Sequence, residues 1–247
     1  MSASTDSATD NSRSARTYRW ECDELLRGEA SKKYGLIIVN QPIRRDLLDR
    51  AWKAAEVRLC ADGGANRLYK VDEQQAYLPD MIKGDLDSIR DDVRTHYSSK
   101  GVPVVEDKDE YSTDLMKCIA EVPQDHALVL LGGLSGRVDQ SVHTMAMLHK
   151  IDREIYVLDG ESFAWLLRPG RHEIRIDHHT MGQTCGILPV GVDSARVKTQ
   201  GLKWDTDWET SLNGNLSTSN HLLPENPEVV IETDRPILWT VEIRPLD

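Results

Sequence analysis

The sequence has no apolar run longer than a β-strand, no closely spaced cysteines and no cluster of positive charge, and each absence closes off a class of protein. The longest apolar stretches, such as Ala127–Leu131, are too short to cross a bilayer, so no spanning helix and no membrane partner are expected. Cys22, Cys60, Cys118 and Cys185 lie far apart, which fits neither a zinc knuckle nor a disulfide-dense secreted domain. They read as buried free thiols of a reducing compartment, and the expected location is cytoplasmic. The formal net charge is −11 with scattered lysines and arginines, a surface that repels nucleic acid and anionic lipid. Residues 1–16, rich in Ser, Thr, Ala and Asp, lack the apolar stretch of a signal peptide and read as a disordered tail. Without secretion the sequon Asn215-Leu216-Ser217 carries no message. The chain also lacks G-x-x-x-x-G-K-[ST], which excludes a P-loop enzyme, and it has no clean G-x-G-x-x-G with a downstream acid.

At 247 residues, 39% hydrophobic and 29% charged, the chain can bury a core as one large domain or two modest ones. From residue 35 to about 159, short buried strands alternate with amphipathic helices. Strands are predicted at 35–40, 57–60, 80–83, 102–105, 127–131 and 155–158, and helices at 43–56, 65–69, 88–99, 112–120 and 138–150. Strands joined by helical crossovers form a mostly parallel, doubly wound α/β sheet with helices on both faces. After about 160 the pattern changes to strand-like stretches at 173–176, 195–199, 229–233 and 238–243, punctuated by Pro169-Gly170, Gly191, Gly201 and Asn213-Gly214. No helix is predicted there, and an antiparallel β-sandwich or barrel-like domain is expected. The expected division is therefore an α/β domain over 17–160 and an all-β domain over 161–247, with the boundary near Gly160.

Four loops follow the predicted strands, and each carries carboxylates, glycines or both: 60–69, 82–89, 106–114 and 130–140. A parallel sheet gathers its strand C-termini along one edge, where ligands bind. Asp85-Leu86-Asp87 can present two carboxylates to one hard cation, although D-x-D is common and Asp87 or Ser88 could simply cap a helix. Asp107, Asp109, Glu110 and Asp114 form a second acidic stretch, in which Ser112, Thr113 and Asp114 are also ordinary helix-start residues. Lys108 could contact a phosphate or merely balance this charge. Asp62-Gly63-Gly64-Ala65-Asn66 and Gly132-Gly133-Leu134-Ser135-Gly136-Arg137 read equally as phosphate cradles or as tight structural turns. Arg137 and Asp139 add a cation for phosphate and an acid to the second. His172, His178 and His179 read as a solvated strand end rather than a metal site. Trp204 and Trp208 read as packing residues or as a stacking face for a flat ligand, and 217–220 (STSN) alone would pass as a surface strand or turn.

In combination and in order, DGGANRLY (62–69), PDMIKGDLDSI (79–89), STDLMKC (112–118), LGGLSGRVDQ (131–140), GLKW (201–204) and STSN (217–220) resemble thiamine pyrophosphokinases of the eukaryotic type. The resemblance runs from about residue 35 to the end, and the 106–114 segment reads as one residue longer than the family spacing. It implies an α/β nucleotide-binding domain followed by a β-sandwich. The activity it implies is transfer of a diphosphate from ATP to the hydroxyl of thiamine, giving thiamine diphosphate and AMP. It also implies a homodimer, with thiamine held between one subunit's α/β domain and its partner's sandwich. Asp85, Asp87 and Asp114 would be the Mg²⁺-linked catalytic acids, with Asp139 beside them. Asp62, Gly63, Gly64, Asn66, Lys108, Thr113, Gly133 and Arg137 would line the ATP site. Ser217, Asn220 and Trp204 would hold thiamine. Two rival readings share the α/β half: a D-x-D glycosyltransferase using a nucleotide sugar, and a thiamine- or nucleotide-binding regulator without activity.

Overall fold

The computed structural model describes residues 16–72 and 74–245, so of the tail expected over 1–16 all but Arg16 lies outside the described residues. The chain enters through β1 (Thr17–Trp20) and a short helix α1 (Asp23–Arg27). It then alternates through β2 (Tyr34–Ile38), α2 (Arg45–Ala54), β3 (Val57–Ala61), α3 (Gly64–Val71), β4 (Met81–Gly84) and α4 (Asp91–Ser99). The series continues with β5 (Val104–Glu106), α5 (Asp114–Glu121), β6 (Ala127–Leu131), α6 (Val138–Lys150) and β7 (Ile155–Asp159). Strands follow: β8 (Ser162–Leu167), β9 (Gly170–Arg175), β10 (Met181–Leu188), β11 (Ala195–Gln200), β12 (Asp207–Thr210), β13 (Ser217–His221), β14 (Glu228–Thr233) and β15 (Ile237–Ile243). No described helix is long and apolar enough to cross a membrane.

One ten-stranded sheet runs β13-β10-β15-β8-β7-β6-β2-β3-β4-β5. From β7 to β5 every pairing is parallel, and from β7 to β13 every pairing is antiparallel. A second sheet, β1-β9-β14-β11-β12, completes the sandwich. The fold is thus the expected mostly parallel α/β sheet followed by a β-rich half, with one difference in detail. The position expected as a domain boundary, Gly160, lies in a tight hairpin between adjacent strands of one continuous sheet. Thr17–Trp20, expected within the α/β domain over 17–160, pairs instead with β9 of the second sheet.

Side-chain alternation explains the layering. In the parallel strands Leu36, Ile38, Cys60, Val129 and Leu131 face one side, and Ile37, Leu59, Ala61, Leu128 and Leu130 the other. Successive strand residues point to opposite faces, so fully apolar strands demand cover on both. The first of these cores continues between the sandwich sheets, through Trp20, Tyr156, Trp165, Ile174, Ile231 and Trp239. The strands β8 and β10 escape a periodicity search because β8 is apolar along nearly its whole length and β10 carries Gly182 and Gly186. Helix α1, five residues long, is too short to show a period.

His172 corrects the expectation of a solvated strand end. It is fully buried on β9, its Nδ1 accepting the Trp20 indole N–H at 3.0 Å and its Nε2 donating to the Arg168 carbonyl at 2.7 Å. This pair of bonds fixes β1 to the sandwich and requires a neutral ring. Burial lowers its pKa to about 4, against about 6.5 in an unfolded chain. The native state therefore binds fewer protons than the unfolded state. The stability it supports is complete above about pH 6.5 and is lost as pH falls toward 4, at most roughly 3 kcal/mol. Urea midpoints measured between about pH 7 and pH 4.5 should fall more steeply for the wild type than for His172→Gln; parallel curves would refute the assignment.

Candidate active site

The chain runs outward from β2 through β3 and β4 to β5, then returns to place β6 on the other side of β2. Neighbouring loops diverge at such a switch point and open a crevice beyond the strand C-termini. Here the crevice is a cleft of about 390 Å³. Asn40 and Gln41 line it after β2, Asp62 and Gly63 after β3, Asp85 and Ser88 after β4, and Asp109, Glu110 and Ser112 to Leu115 after β5. Gly133 and Arg137 close its far side with Gln140, His143 and Thr144 of α6.

An acidic cluster sits where β3 and β4 end. Oxygens of Asp62, Asp85 and Asp87 lie within 4.8 Å of one another. Asp62 is buried at φ +39, and its carboxylate accepts the Ser88 and Ile89 backbone N–H groups at 2.9 and 3.1 Å. Leu86, between the other two acids, stands at φ +62, and across it the Asp87 N–H donates to Asp85 Oδ1 at 3.2 Å. Asp114, half-buried at the start of α5, accepts the Asp85 N–H at 3.1 Å. The expected set was Asp85, Asp87 and Asp114; the convergent oxygens belong to Asp62, Asp85 and Asp87, with Asp114 bonded to their loop. Desolvation pushes the carboxyl pKa values of Asp62 and Asp114 up, opposed by backbone hydrogen bonds and reinforced by neighbouring carboxylates. Crowded, partly desolvated oxygen donors of one sign form a set suited to a hard divalent cation such as Mg²⁺.

Two further residues, Gly84, which precedes the acid pair in sequence, and Lys117, which sequence reasoning missed, make this arrangement possible. Gly84 lies under the cluster, where a Cβ would come within 2.7 Å of Asp62 Cβ and 2.9 Å of Asp114 Cγ. Lys117, buried on α5, donates to the Asp107 carbonyl at 2.7 Å and to Asp114 Oδ1 at 3.4 Å. With Lys83, which pairs with Asp107 at 3.4 Å, it supplies positive charge to the acidic stretch, whereas Lys108 is exposed and reaches Glu106 instead. The spacing of Asp114 and Lys117, one helical turn apart, is the signal that could have revealed it.

The glycine turns divide between the two readings left open by the sequence. Gly64 packs against β2, a Cβ there meeting the Ile38 carbonyl at 2.2 Å, and Gly63 lies against Asn40. Both are needed for close packing, and Gly63 also faces the cleft. Asn66 points away from the cleft, bonding the Ser88 carbonyl and the Arg90 N–H and so fixing the D-L-D loop. Gly133, at φ +111, lines the cleft. Thr113 caps α5 by accepting the Met116 N–H, and its hydroxyl lies 2.9 Å from His143 Nε2. Arg137 lines the cleft paired with Asp139, both exposed on the first turn of α6.

Ser217, Asn220 and Trp204 come together elsewhere. Buried Asn220 bonds the Trp204 N–H and carbonyl and the Ser217 hydroxyl. Trp204 stays half exposed, its ring against His221 and beneath Lys203. Ser219, between Ser217 and Asn220, is held at φ +54. Their strand β13 is one edge of the ten-stranded sheet, eight strand spacings from β4, which bears the acid pair. At about 4.8 Å per spacing this is roughly 38 Å along the sheet.

Comparison with known proteins fits this layout. Residues 48–158 match the family model described as thiamin pyrophosphokinase, catalytic domain, and residues 171–238 match the thiamin pyrophosphokinase, vitamin B1 binding domain. Thiamine pyrophosphokinase 3 of Oryza sativa subsp. japonica is 36% identical over 85% of this chain and 87% of its own length. Thiamine pyrophosphokinase 1 of Arabidopsis thaliana is 36% identical over 90% of each chain. The crystal structure of yeast thiamin pyrophosphokinase superposes with a TM-score of 0.81 at 28% identity, covering 93% of this chain and 91% of that one.

Gly84→Ala tests the packing of the acids. The added methyl must push Asp62 or Asp114 aside, and calorimetric titration with Mn²⁺ should give a cation affinity lower by about tenfold or more. Unchanged affinity in a folded variant would show that the carboxylates do not depend on this close approach.

Proposed function

The chain belongs to the thiamin pyrophosphokinase family of enzymes, and from that premise we propose that it transfers a diphosphate group from ATP to thiamine. The products are thiamine diphosphate and AMP, and Mg²⁺ is required. The observation that carries this reading is the convergence of Asp62, Asp85 and Asp87 at the switch-point crevice, opposite the Gly133–Arg137 loop. Asp85 and Asp87, with Asp62 and flanked by Asp114, are the residues that would hold Mg²⁺. When bound there, the ion neutralises phosphate oxygens.

The protein's own work is positioning and charge placement, as in phosphoryl transfer generally. The Gly133 loop and the guanidinium of Arg137 receive the triphosphate, and Asn40 and Gln41 border it. The thiamine hydroxyl oxygen bonds to the β-phosphorus as the α-phosphate departs in line, carrying the former bridging oxygen away with AMP. Asp114, whose proton affinity burial already raises, accepts the hydroxyl proton. Asp139 is tied to Arg137 and held below the usual carboxylate range by that guanidinium, which suits it to steering Arg137 rather than to taking a proton.

Ser217, Asn220 and Trp204 hold thiamine in this reading, and the working unit is a homodimer. The separation of roughly 38 Å along one sheet supports it, since a hydroxyl bound at β13 cannot reach a phosphate above β4 of the same chain. A partner's β13 edge, with its half-exposed Trp204, brings the two together. We place the reaction in the cytoplasm, in keeping with four free, buried cysteines.

Incubation with ATP, Mg²⁺ and thiamine, followed by chromatography, should yield thiamine diphosphate and AMP in equal amounts. ADP as the nucleotide product would reject diphosphate transfer. Asp85→Asn and Asp87→Asn should each lower kcat by orders of magnitude with unchanged circular dichroism. Near-normal turnover in both would remove the metal assignment.

A further inference from the structure

We propose that Asp159 is a positioning residue for the nucleotide, clamping the 132–137 loop so that Gly133 and Arg137 face the cleft; this rests on the diphosphate-transfer reading. The loop contains Gly132, Gly133 and Gly136 at φ +91, +111 and +78. Glycine reaches this region freely but loses more conformational freedom on ordering than any other residue, so such a loop needs an outside restraint. Asp159, the last residue of β7, is 7% exposed and supplies it. One carboxylate oxygen accepts the Leu134 N–H and the other accepts the Ser135 hydroxyl at 2.9 Å.

Among the described residues no lysine or arginine pairs with Asp159, so the loop's two donors are what satisfy this buried carboxylate. An ionised group in that position binds its donors strongly and tolerates their loss poorly. The Asp159 backbone pairs with Ser162 across the hairpin at Gly160, whose carbonyl accepts from Arg44 Nη1 at 2.8 Å. On its other side the loop is pressed against the walls of the cleft. A Cβ at Gly133 would come within 3.0 Å of Thr144 Oγ1, and one at Gly136 within 2.5 Å of Gln41 Oε1. Displacing the loop therefore reshapes the wall that receives phosphate. The contact set of Asp159 does not extend to Ser217, Asn220 or Trp204, so the effect should fall on ATP and spare thiamine.

The test titrates the full chain calorimetrically with ATP in Mg²⁺ and, separately, with thiamine, and follows amide exchange at 133–136. Asp159→Ala should weaken ATP binding by about tenfold or more, leave thiamine affinity within about twofold and speed exchange in the loop. Ser135→Ala should cost about threefold in ATP affinity, and it should add nothing in the Asp159→Ala background, because the two residues act as one contact. Wild-type ATP affinity in both single variants overturns the clamp and leaves diphosphate transfer standing. Failure of the wild type to bind ATP overturns both. Equal loss of ATP and thiamine affinity with a lowered thermal midpoint assigns Asp159 to general stability and also overturns the proposal. Should Asp159→Ala not fold, Ser135→Ala and Asp159→Asn decide by the same criteria, the amide retaining one of the two acceptors.

Discussion

Carboxylates whose oxygens lie within 4.8 Å repel one another, and the rest of this half of the molecule is arranged so that they stay there. The parallel sheet does the gathering. Ala61 pairs with Lys83 and Gly84 with Glu106, so the residues that follow β3, β4 and β5 emerge side by side at one edge. Gly84 removes the side chain that would otherwise stand between Asp62 and Asp114. Asp62 and Leu86 are held at positive φ, which disfavours L-residues with a side chain, and backbone N–H groups of Ser88 and Ile89 offset part of the cost. Lys117 adds a buried positive charge on the Asp114 side.

The second constraint is that the two halves are not separable by a cut at the hairpin. The ten-stranded sheet passes through it without a break, and one apolar core extends from Leu36 and Ile38 beneath the helices to Trp165 and Trp239 between the sandwich sheets. β1 closes this arrangement from the other end, its Trp20 bonded to His172 and packed 5.9 Å from the ring of Trp165. The sandwich is thereby fixed against the sheet whose edge carries the acids. Its β13 edge, with Trp204, Ser217 and Asn220, faces outward on the opposite margin. Within one chain the Ser217–Asn220 strand and the loop of the acid pair thus lie eight strand spacings apart, a separation that no local sequence pattern reports.

Much of the architecture was legible because its signals are local. Fully apolar strands such as Ala127–Leu131, glycine turns and acids immediately after strands report on residues a few positions apart. The D-x-D loop and the Thr113-Asp114 helix start were readable for the same reason. What could not be read depends on distant partners. Thr17–Trp20 belongs to the second sheet because of β9, more than 150 positions away. His172 looks like a polar strand residue until Trp20 and Arg168 supply its bonds. Asn66, grouped in sequence with the phosphate glycines, in fact braces the loop of the acid pair through Ser88 and Arg90. Lys117 and His143 sit in helices whose inward faces are defined only once α5 and α6 flank the same cleft.

Arg137 shows how charge is held at the rim of the cleft. Its guanidinium lies on Asp139, two residues along the chain, with bonds of 3.1 and 2.6 Å. Both side chains are largely in water, where an ion pair is worth little and is screened by salt. The polyphosphate of the proposed reaction would offer more charge and the same bidentate geometry, and would displace Asp139 at small cost. A buried pair in the same place would compete with the ligand, and an unpaired arginine would sample many rotamers before finding it. The exposed pair does neither: it keeps Arg137 extended along the rim of the cleft while leaving it free to exchange one anion for another. Deeper in the site, the bonds of Asp62 to the Ser88 and Ile89 N–H groups and of Lys117 to the Asp107 carbonyl set the geometry. The exposed Arg137–Asp139 pair at the rim is held by contacts weak enough to yield.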